Sequence, residues 1–357
     1  MSNAAPERIL VVCTRRIGDV LLVTPLIRSL RRAWPAARID ALVFRGTAGV
    51  LEGNPDLTRI IAVPERSRWR ERLRELRGLW RQYDLALSCL PSDRARIYGW
   101  AAGRRHLGML QAGERGRKRW WFDATVEFDD LDTHTVAMGL QLADLAGIAR
   151  CPEVVLPTAG GGLPDGVRGP FAVLHPYPKF NYKMWTEAGW GALARALQAR
   201  GLQVVLTGSA DADEVACCAR VATASGALSL AGQLTLGQTA DLLRQARLFV
   251  GPDTAVTHLA AAAGIPTIAL FGPSNPVKWG PWPVGWTDRH SPWARVGSGR
   301  QGNVHLLQGE GDCVPCRLEG CDRHVDSFSH CLQTLPEARV IAIALELLDG
   351  EPAATAG

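Results

Sequence analysis

The stretch that decides the fold covers residues 246–273 and reads ARLFVGPDTAVTHLAAAAGIPTIALFGP. The apolar runs at its two ends predict buried strands, and the alanine-rich segment 253–264 between them predicts a helix. Strand, polar turn, helix and strand form a βαβ unit, whose ligands bind at the carboxyl ends of the strands. The backbone N–H groups of Thr254 and Ala255 would open the helix, and a helix N-terminus attracts phosphate. We therefore expect an anionic ligand here, and a nucleotide suits this turn best.

Similar alternation fills both halves of the chain, with a Gly- and Pro-rich segment, 157–170, between them as a predicted linker. The pattern predicts an α/β fold with two Rossmann-like domains, each built on a parallel sheet, and a cleft between them. The predicted domains are residues 1–165, 166–335 and a C-terminal helix and tail, 336–357. The predicted strands are 8–14, 39–44, 59–63, 85–90, 171–175, 203–207 and a short one near 228–230; the predicted helices are 20–34, 187–200, 210–225, 235–245 and 336–348.

Composition and charge narrow the function classes. The chain has 357 residues, 47% of them hydrophobic and 21% charged, and no apolar run approaches the roughly 20 residues of a membrane span. No signal peptide is visible, so we expect a cytoplasmic protein. Residues 1–165 hold 25 Lys and Arg against 19 Asp and Glu, a net +6, whereas the remainder is −1. The basic half suits an anionic acceptor or membrane surface; no nucleic-acid motif is present, and a Gly-x-Gly-x-x-Gly oxidoreductase fingerprint is missing.

Two basic, aromatic segments stand out in that half. Residues 66–82 contain seven arginines and a Trp/Leu stripe at helical spacing. Such a helix can lie on an anionic membrane, but the stripe could equally be core with solvated arginines. The second segment combines Arg115, Arg117, Lys118 and Arg119 with Trp120 and Trp121.

Three groups of polar residues follow predicted strands. Asp19, after Gly18, is either a helix cap or a catalytic carboxylate. Lys183 and Lys179 follow a strand that ends near residue 175, and either could pair with phosphate or remain solvated. Thr207 with Asp211, Asp213 and Glu214 suits ribose hydroxyls, or an ordinary acidic helix start.

Four of the nine cysteines form a cluster with the spacing Cys313-x2-Cys316-x4-Cys321-x9-Cys331. Four thiolates within this span favour a structural tetrahedral zinc or iron site over free thiols or a redox pair, because disulfides are rare in the cytoplasm.

Taken together, these motifs resemble glycosyltransferase family 9, the ADP-heptose–lipopolysaccharide heptosyltransferases. The motifs that carry the resemblance are Arg15-Arg16-Ile17-Gly18-Asp19-Val20, Lys183-x-Trp185, Gly251-Pro252-Asp253-Thr254-x-x-Thr257-His258 and Leu270-Phe271-Gly272-Pro273. The resemblance implies the GT-B fold and an inverting transfer of heptose from ADP-heptose to the lipopolysaccharide core, without a catalytic metal. It also implies an enzyme that contacts the inner membrane peripherally.

The resemblance also implies roles for individual residues. Of the two roles considered for Asp19, the resemblance implies the general base, and it implies that Lys183 is a phosphate ligand. The diphosphate and sugar would lie against Gly18, Asp253, Thr254, Ala255 and His258, with alanine at position 255 in place of the family's usual glycine. The nucleoside would lie near Thr207, Asp211, Asp213 and Leu234, and the anionic acceptor near Arg15, Arg16, Lys179, Arg117, Lys118 and Arg119.

Three alternatives remain open at this point. The acceptor could be an autotransporter protein rather than a lipopolysaccharide, or the donor could carry another sugar. The chain could also be a non-catalytic sugar-nucleotide-binding protein, although Asp19, Lys183 and His258 argue against a degenerate site.

Overall fold

The computed structural model describes residues 5–111, 113–114 and 116–350. These residues form two compact units, one made of residues 5–157 with 285–291, and the other of 158–284 with the residues from 292 onward. The division after Pro157 lies within the Gly- and Pro-rich segment 157–170.

The first unit is built on a six-stranded sheet in which every neighbouring pair is parallel. Its strands are β1 Arg8–Cys13, β2 Arg38–Phe44, β3 Arg59–Val63, β4 Tyr83–Ser88, β5 Gly103–Gln111 and β6 Ala124–Phe128, and its helices are α1 Ile17–Leu21, α2 Thr24–Ala33, α3 Trp69–Leu79, α4 Asp93–Ala102 and α5 Thr135–Ala146. The strand order is β3-β2-β1-β4-β5-β6, so the first strand lies in the interior of the sheet. Ile9 on β1 pairs with Ile39 on one side and Leu85 on the other, and all three are buried.

The single helix predicted over residues 20–34 is in fact two helices, α1 and α2. Pro25 occupies the first turn of α2, where its missing N–H needs no intrahelical acceptor. The Thr24 hydroxyl donates to the carbonyl of Leu21 at 2.7 Å, at the end of α1. The break ends α1 after five residues, immediately beyond Asp19.

The second unit contains a seven-stranded sheet in the order β12-β13-β11-β10-β7-β8-β9, parallel except for the β12–β13 pair. Its strands are β7 Phe171–Leu174, β8 Gln203–Leu206, β9 Leu228–Ser229, β10 Leu248–Pro252, β11 Thr267–Phe271, β12 Gly299–Gln301 and β13 Val304–Gln308. Its helices are α6 Glu187–Ala199, α7 Ala212–Ser225, α8 Leu236–Leu243, α9 Ala255–Ala263, α10 Pro276–Trp279, α11 His330–Gln333 and α12 Glu337–Asp349.

The core of the second unit contains two edge-to-face tryptophans, Trp185 and Trp190, whose ring centroids are 5.0 Å apart. Trp185 also donates its indole N–H to the carbonyl of Leu335 at 2.9 Å. This bond anchors the segment before α12 to the loop that carries Lys183. Among the described residues, no helix is long and apolar enough to cross a bilayer.

Candidate active site

The N-terminus of α9 follows β10 directly, at the carboxyl edge of the second sheet. Thr254 caps the helix in an extended conformation, with φ −139° and ψ 169°. Its hydroxyl lies 3.3 Å from that of Thr257, which in turn donates to the carbonyl of Pro252. The first N–H groups of a helix have no intrahelical acceptor, so this turn presents donors to an anion, as the sequence predicts.

Ala255 is the first residue of α9 and adopts the conformation that a helix requires. Within the described part of the chain, the non-glycine residues with positive φ are Arg81, Arg317 and Arg323. Alanine at position 255 therefore introduces no backbone strain. Gly18 likewise lies inside a helix, α1, so its lack of a side chain does not serve a left-handed turn.

Lys183 and Asp253 form an ion pair beside this helix start. Lys183 ends a short 3-10 helix, Asn181–Lys183, and its Nζ lies 2.5 Å from Oδ2 of Asp253 and 3.4 Å from the carbonyl oxygen of Asp253. The Lys183 side chain is one-fifth exposed and that of Asp253 almost fully buried. Burial would raise the pKa of Asp253, but attraction to Lys183 outweighs it and holds the pKa below the usual value. A fixed ammonium group therefore stands next to the N–H groups of α9.

His258 occupies the first turns of α9 and is buried. Burial lowers the pKa of His258 to about 4, opposed by the carboxylate of Asp253 and assisted by Lys183. Its Nδ1 is buried and makes no hydrogen bond to any described residue. The imidazole is thus neutral near pH 7 and keeps hydrogen-bonding capacity for a ligand.

Two polar residues follow the neighbouring strands β7 and β8. His175 lies immediately after β7 and Thr207 immediately after β8, with His175 Nδ1 3.1 Å from Thr207 Oγ1. Burial lowers the pKa of His175 to about 4. Thr207 thus reaches the predicted carboxyl edge, but its hydroxyl is occupied by His175 and by the carbonyl of Leu174, 3.4 Å away.

The acidic start of α7 lies beside an aromatic side chain. Asp211 caps α7 by accepting the N–H of Asp213 at 3.0 Å, and both are exposed. Burial raises the pKa of Tyr177, and the negative charges of Asp213 and Asp211 raise it further. The structure therefore brings a half-buried phenol to the two predicted ribose-binding acids. Leu234 is half-buried and precedes the N-cap of α8.

In the first unit, Asp19 is partly exposed in the first turn of α1, after the carboxyl end of β1. Its Oδ2 accepts the backbone N–H of Arg16 at 3.2 Å. The capping role considered from the sequence is therefore present. A carboxylate can accept several hydrogen bonds at once, so capping and proton abstraction are compatible. Arg15 and Arg16 beside it are exposed.

The other predicted cationic residues lie at the surface. Lys179 is exposed, with Nζ 5.9 Å from the centroid of the Phe180 ring. Lys118 pairs with Glu114, and Arg119 is exposed. Arg117 belongs to the 3-10 helix Arg117–Trp121, but its side chain and the whole of Arg115 lie outside the described part of the chain.

Comparison with known proteins identifies the family. The family model described as Glycosyltransferase family 9 (heptosyltransferase) matches residues 82–288, more than half of the chain. Lipopolysaccharide heptosyltransferase 1 of Pseudomonas aeruginosa is 30% identical over 331 residues, which cover 88% of this chain and 87% of that protein. The chain belongs to glycosyltransferase family 9. It is therefore a glycosyltransferase, and the resemblance inferred from its motifs is confirmed.

Further relatives agree with this membership of family 9. Lipopolysaccharide heptosyltransferase 3 of Escherichia coli is 29% identical over 294 residues, covering 74% of this chain and 83% of that protein. The solved structure of E. coli ADP-heptose LPS heptosyltransferase II superposes with a TM-score of 0.71 at 21% identity, over 96% of this chain and 98% of that one. The predicted α/β fold of the GT-B class is confirmed.

The four cysteines of the predicted metal site lie in different surroundings in this family 9 enzyme. Among the residues with described positions, no three or more His, Cys, Asp or Glu side chains are grouped so that they could hold a metal ion. Cys313 and Cys321 are exposed, and Cys321 accepts the N–H of His330 at 3.3 Å. Cys331 instead packs in the core, where burial first, and then the three other thiols, raise its pKa to about 11. The four thiols therefore act on one another electrostatically, and their role as metal ligands stays a prediction.

Sequence reasoning missed two residues beside the predicted ligand turns. The sequence predicts His175 only as the end of a strand and Tyr177 only as part of the following loop, although both lie just beyond β7 in the run His175-Pro176-Tyr177. The available signal was their position, since polar residues just beyond a buried parallel strand lie at the ligand-binding edge.

Proposed function

We propose that this enzyme transfers heptose from ADP-heptose to a hydroxyl of the lipopolysaccharide core, with inversion at the anomeric carbon. The observation that carries the proposal is the Lys183–Asp253 pair beside the start of α9, together with the buried, neutral His258. Cationic and neutral donors at a helix N-terminus suit a diphosphate. The named heptosyltransferases among the relatives support the choice of sugar and acceptor.

The donor would bind through its diphosphate and its nucleoside. Lys183 would offset phosphate charge, while the first N–H groups of α9 and the His258 imidazole would donate hydrogen bonds to the phosphate oxygens. Asp211 and Asp213 would accept from ribose hydroxyls, and the Tyr177 ring beside them would contact the nucleoside. The likeness to E. coli ADP-heptose LPS heptosyltransferase II, a protein with the same fold, supports an ADP-linked heptose.

Asp19 would act as the general base. It would accept the proton of the acceptor hydroxyl while that oxygen forms a bond to the anomeric carbon of the heptose. The bond from the anomeric carbon to the diphosphate oxygen would break, and the electron pair would leave with ADP. A single displacement through an oxocarbenium-like state inverts the configuration. In this proposal the leaving charge is balanced by Lys183 and the α9 dipole.

The acceptor would be anionic. The excess of Lys and Arg in the first half of the chain supports this, as does the exposure of Arg15 and Arg16 close to Asp19. An acceptor anchored in a lipid would bring the reaction to the cytoplasmic face of the inner membrane.

A transfer assay tests the proposal directly. Purified enzyme is incubated with labelled ADP-heptose and either core-truncated lipopolysaccharide or an autotransporter protein, and the label in each acceptor is measured. We expect label in the lipopolysaccharide, with the opposite anomeric configuration from the donor by NMR. Label only in the protein would mean that the acceptor is a protein and not the lipopolysaccharide. Label in neither acceptor, from an enzyme that still binds ADP, would overturn the proposed reaction.

A further inference from the structure

Two segments of the first unit that the sequence presents as separate basic patches meet in one surface, which we call the Trp–Arg surface. It consists of α3 with Trp80 and Arg81 at its end, Trp100 on α4, and Trp120 and Trp121 in the 3-10 helix Arg117–Trp121. Trp80 and Trp100 pack edge to face with centroids 5.4 Å apart, and Trp100 and Trp121 do so at 5.0 Å. The contacts make the two segments continuous.

The aromatic side chains of this surface are unusually exposed. Trp69 is 69%, Trp80 52% and Trp120 88% exposed. Trp69 and Trp80 belong to the apolar stripe of α3, with Leu73, which is also exposed. Of the four stripe residues, Leu76 packs against the core, whereas Trp69, Leu73 and Trp80 are exposed, so most of the stripe faces outward. Clustered exposed apolar side chains on a soluble domain mark an interaction site.

Arg81 fixes the centre of the Trp–Arg surface. It has a left-handed backbone, with φ +50°, which costs free energy for a non-glycine residue and persists only where its surroundings hold it. Its N–H donates to the carbonyl of Ala101 at 2.8 Å and its guanidinium to that of Gly103 at 2.6 Å. The same guanidinium lies over the rings of Trp80 and Trp100, at 5.6 and 5.9 Å. Arg81 therefore holds the rings of Trp80 and Trp100 in place before any partner binds.

The charge of the surface is strongly positive. Residues 66–82 contain seven arginines and two glutamates, a net charge of +5. Six of the arginines are exposed, Arg72 being half-buried. Exposed tryptophans interleaved with arginines match the boundary of an anionic bilayer, where indole rings settle at the headgroup level and basic side chains meet lipid phosphates.

We propose that the Trp–Arg surface binds anionic phospholipid bilayers directly, with α3 lying along the headgroup layer. Trp69, Trp80 and Trp120 would enter the interface, and the arginines of α3 would pair with anionic headgroups. The inference depends on neither the donor nor the acceptor proposed above, because it concerns the bulk lipid.

Vesicle co-sedimentation of the full chain tests this inference. Vesicles of phosphatidylcholine alone are compared with vesicles that also contain phosphatidylglycerol, in the absence of any sugar substrate. We expect binding to the anionic vesicles that weakens as salt is added. Trp69→Ser combined with Trp120→Ser should lower the partition coefficient about tenfold or more. Arg70→Gln combined with Arg77→Gln should lower it roughly 30-fold on anionic vesicles and leave neutral ones unaffected.

A matched control lies in the second unit, where Phe328 and Arg300 are also exposed. Phe328→Ser with Arg300→Gln should bind vesicles like the unmodified chain, and circular dichroism checks that every variant is folded. Absence of vesicle binding by the unmodified chain would overturn the inference. Folded tryptophan variants that bind vesicles as well as the unmodified chain does would also overturn it. So would tryptophan variants that lose self-association but keep their binding to lipid. Transfer to a detergent-solubilised acceptor stays unchanged in these variants, which separates this test from that of the proposed function.

Discussion

Lys183 and Asp253, seventy positions apart in the chain, place an ammonium and a carboxylate 2.5 Å from each other at the start of α9. An incoming diphosphate carries more negative charge than one carboxylate, so it can replace Asp253 as the partner of Lys183. Asp253 would hold Lys183 in place before the donor arrives, but its carboxylate would also compete with the donor diphosphate for Lys183. This arrangement lets the roles of the two residues be separated by experiment.

Replacing Lys183 with methionine should weaken ADP binding by about 10–100-fold, because a charge-assisted hydrogen bond contributes roughly 1.5–3 kcal/mol. It should also lower the free energy of unfolding by about 2–4 kcal/mol, since Asp253 would be left buried and unpaired. Calorimetry measures the affinity and urea unfolding the stability.

Combining Lys183→Met with Asp253→Asn removes both charges and serves as the control. The double variant should regain most of the lost stability but not the ADP affinity. Recovery of affinity as well would mean that Lys183 acts only as the partner of Asp253.

Asp19→Asn should reduce transfer by about 10²–10⁴-fold while leaving ADP affinity nearly unchanged, because the amide cannot accept a proton. The substitution is conservative for the fold, since an asparagine oxygen can still accept the N–H of Arg16 and cap α1. Single-turnover kinetics with labelled donor measure the effect. Near-normal transfer by this variant would assign Asp19 to capping alone.

Stability should fall as the pH drops from about 6.5 towards 4. The pKa values of His106, His175 and His258 are each lowered to about 4 by burial, whereas an unfolded histidine titrates near 6.5. Between these values the unfolded chain binds protons that the folded chain does not, so acid favours unfolding. The lowered pKa of Asp253 affects the stability only below pH 3.8, the ordinary pKa of an aspartate, and so does not contribute in this pH window.

Each of these histidines should remove on the order of 2 kcal/mol of stability between pH 7 and pH 5. Urea midpoints measured across this range give the slope. The pKa of His305 is also lowered by burial, so His258→Asn should flatten the slope by roughly a quarter to a third. Identical slopes in the variant and the unmodified chain would show that His258 is not held neutral.

The strands β1 to β4 and β7 to β11 could be predicted from the sequence because each is a short apolar run, and the start of α9 because two such runs flank its helix. The contact between Lys183 and Asp253 could not, since it depends on β7 and β10 being neighbours in the sheet, a pairing that one sequence does not reveal. The same holds for Trp80, Trp100 and Trp121, whose rings meet only once α3 and α4 have packed. For the cysteines, the spacing could not predict that Cys331 is buried in the core while Cys313 and Cys321 are exposed.

The strand β5 was missed for a related reason. Its first residues include Arg104 and Arg105, both exposed, and then His106, so the apolar run that signals a buried strand begins only at Leu107. The position of β5 between β4 and β6 buries its second half. Tertiary context, not local composition, makes this segment a strand.

Ala255→Pro provides the sharpest test of the phosphate-binding turn. Proline is well tolerated as the first residue of a helix, and the extended backbone of Thr254 suits a residue that precedes proline. The substitution should therefore preserve α9 while deleting one N–H. If that N–H donates to the diphosphate, ADP affinity should fall about 10–100-fold with stability within about 1 kcal/mol of the unmodified chain. Ala255→Gly keeps the N–H and should keep the affinity, at a cost in stability of up to about 1 kcal/mol. Equal ADP affinity in the proline and glycine variants would remove the Ala255 N–H from the donor site and leave phosphate binding to Lys183 and His258.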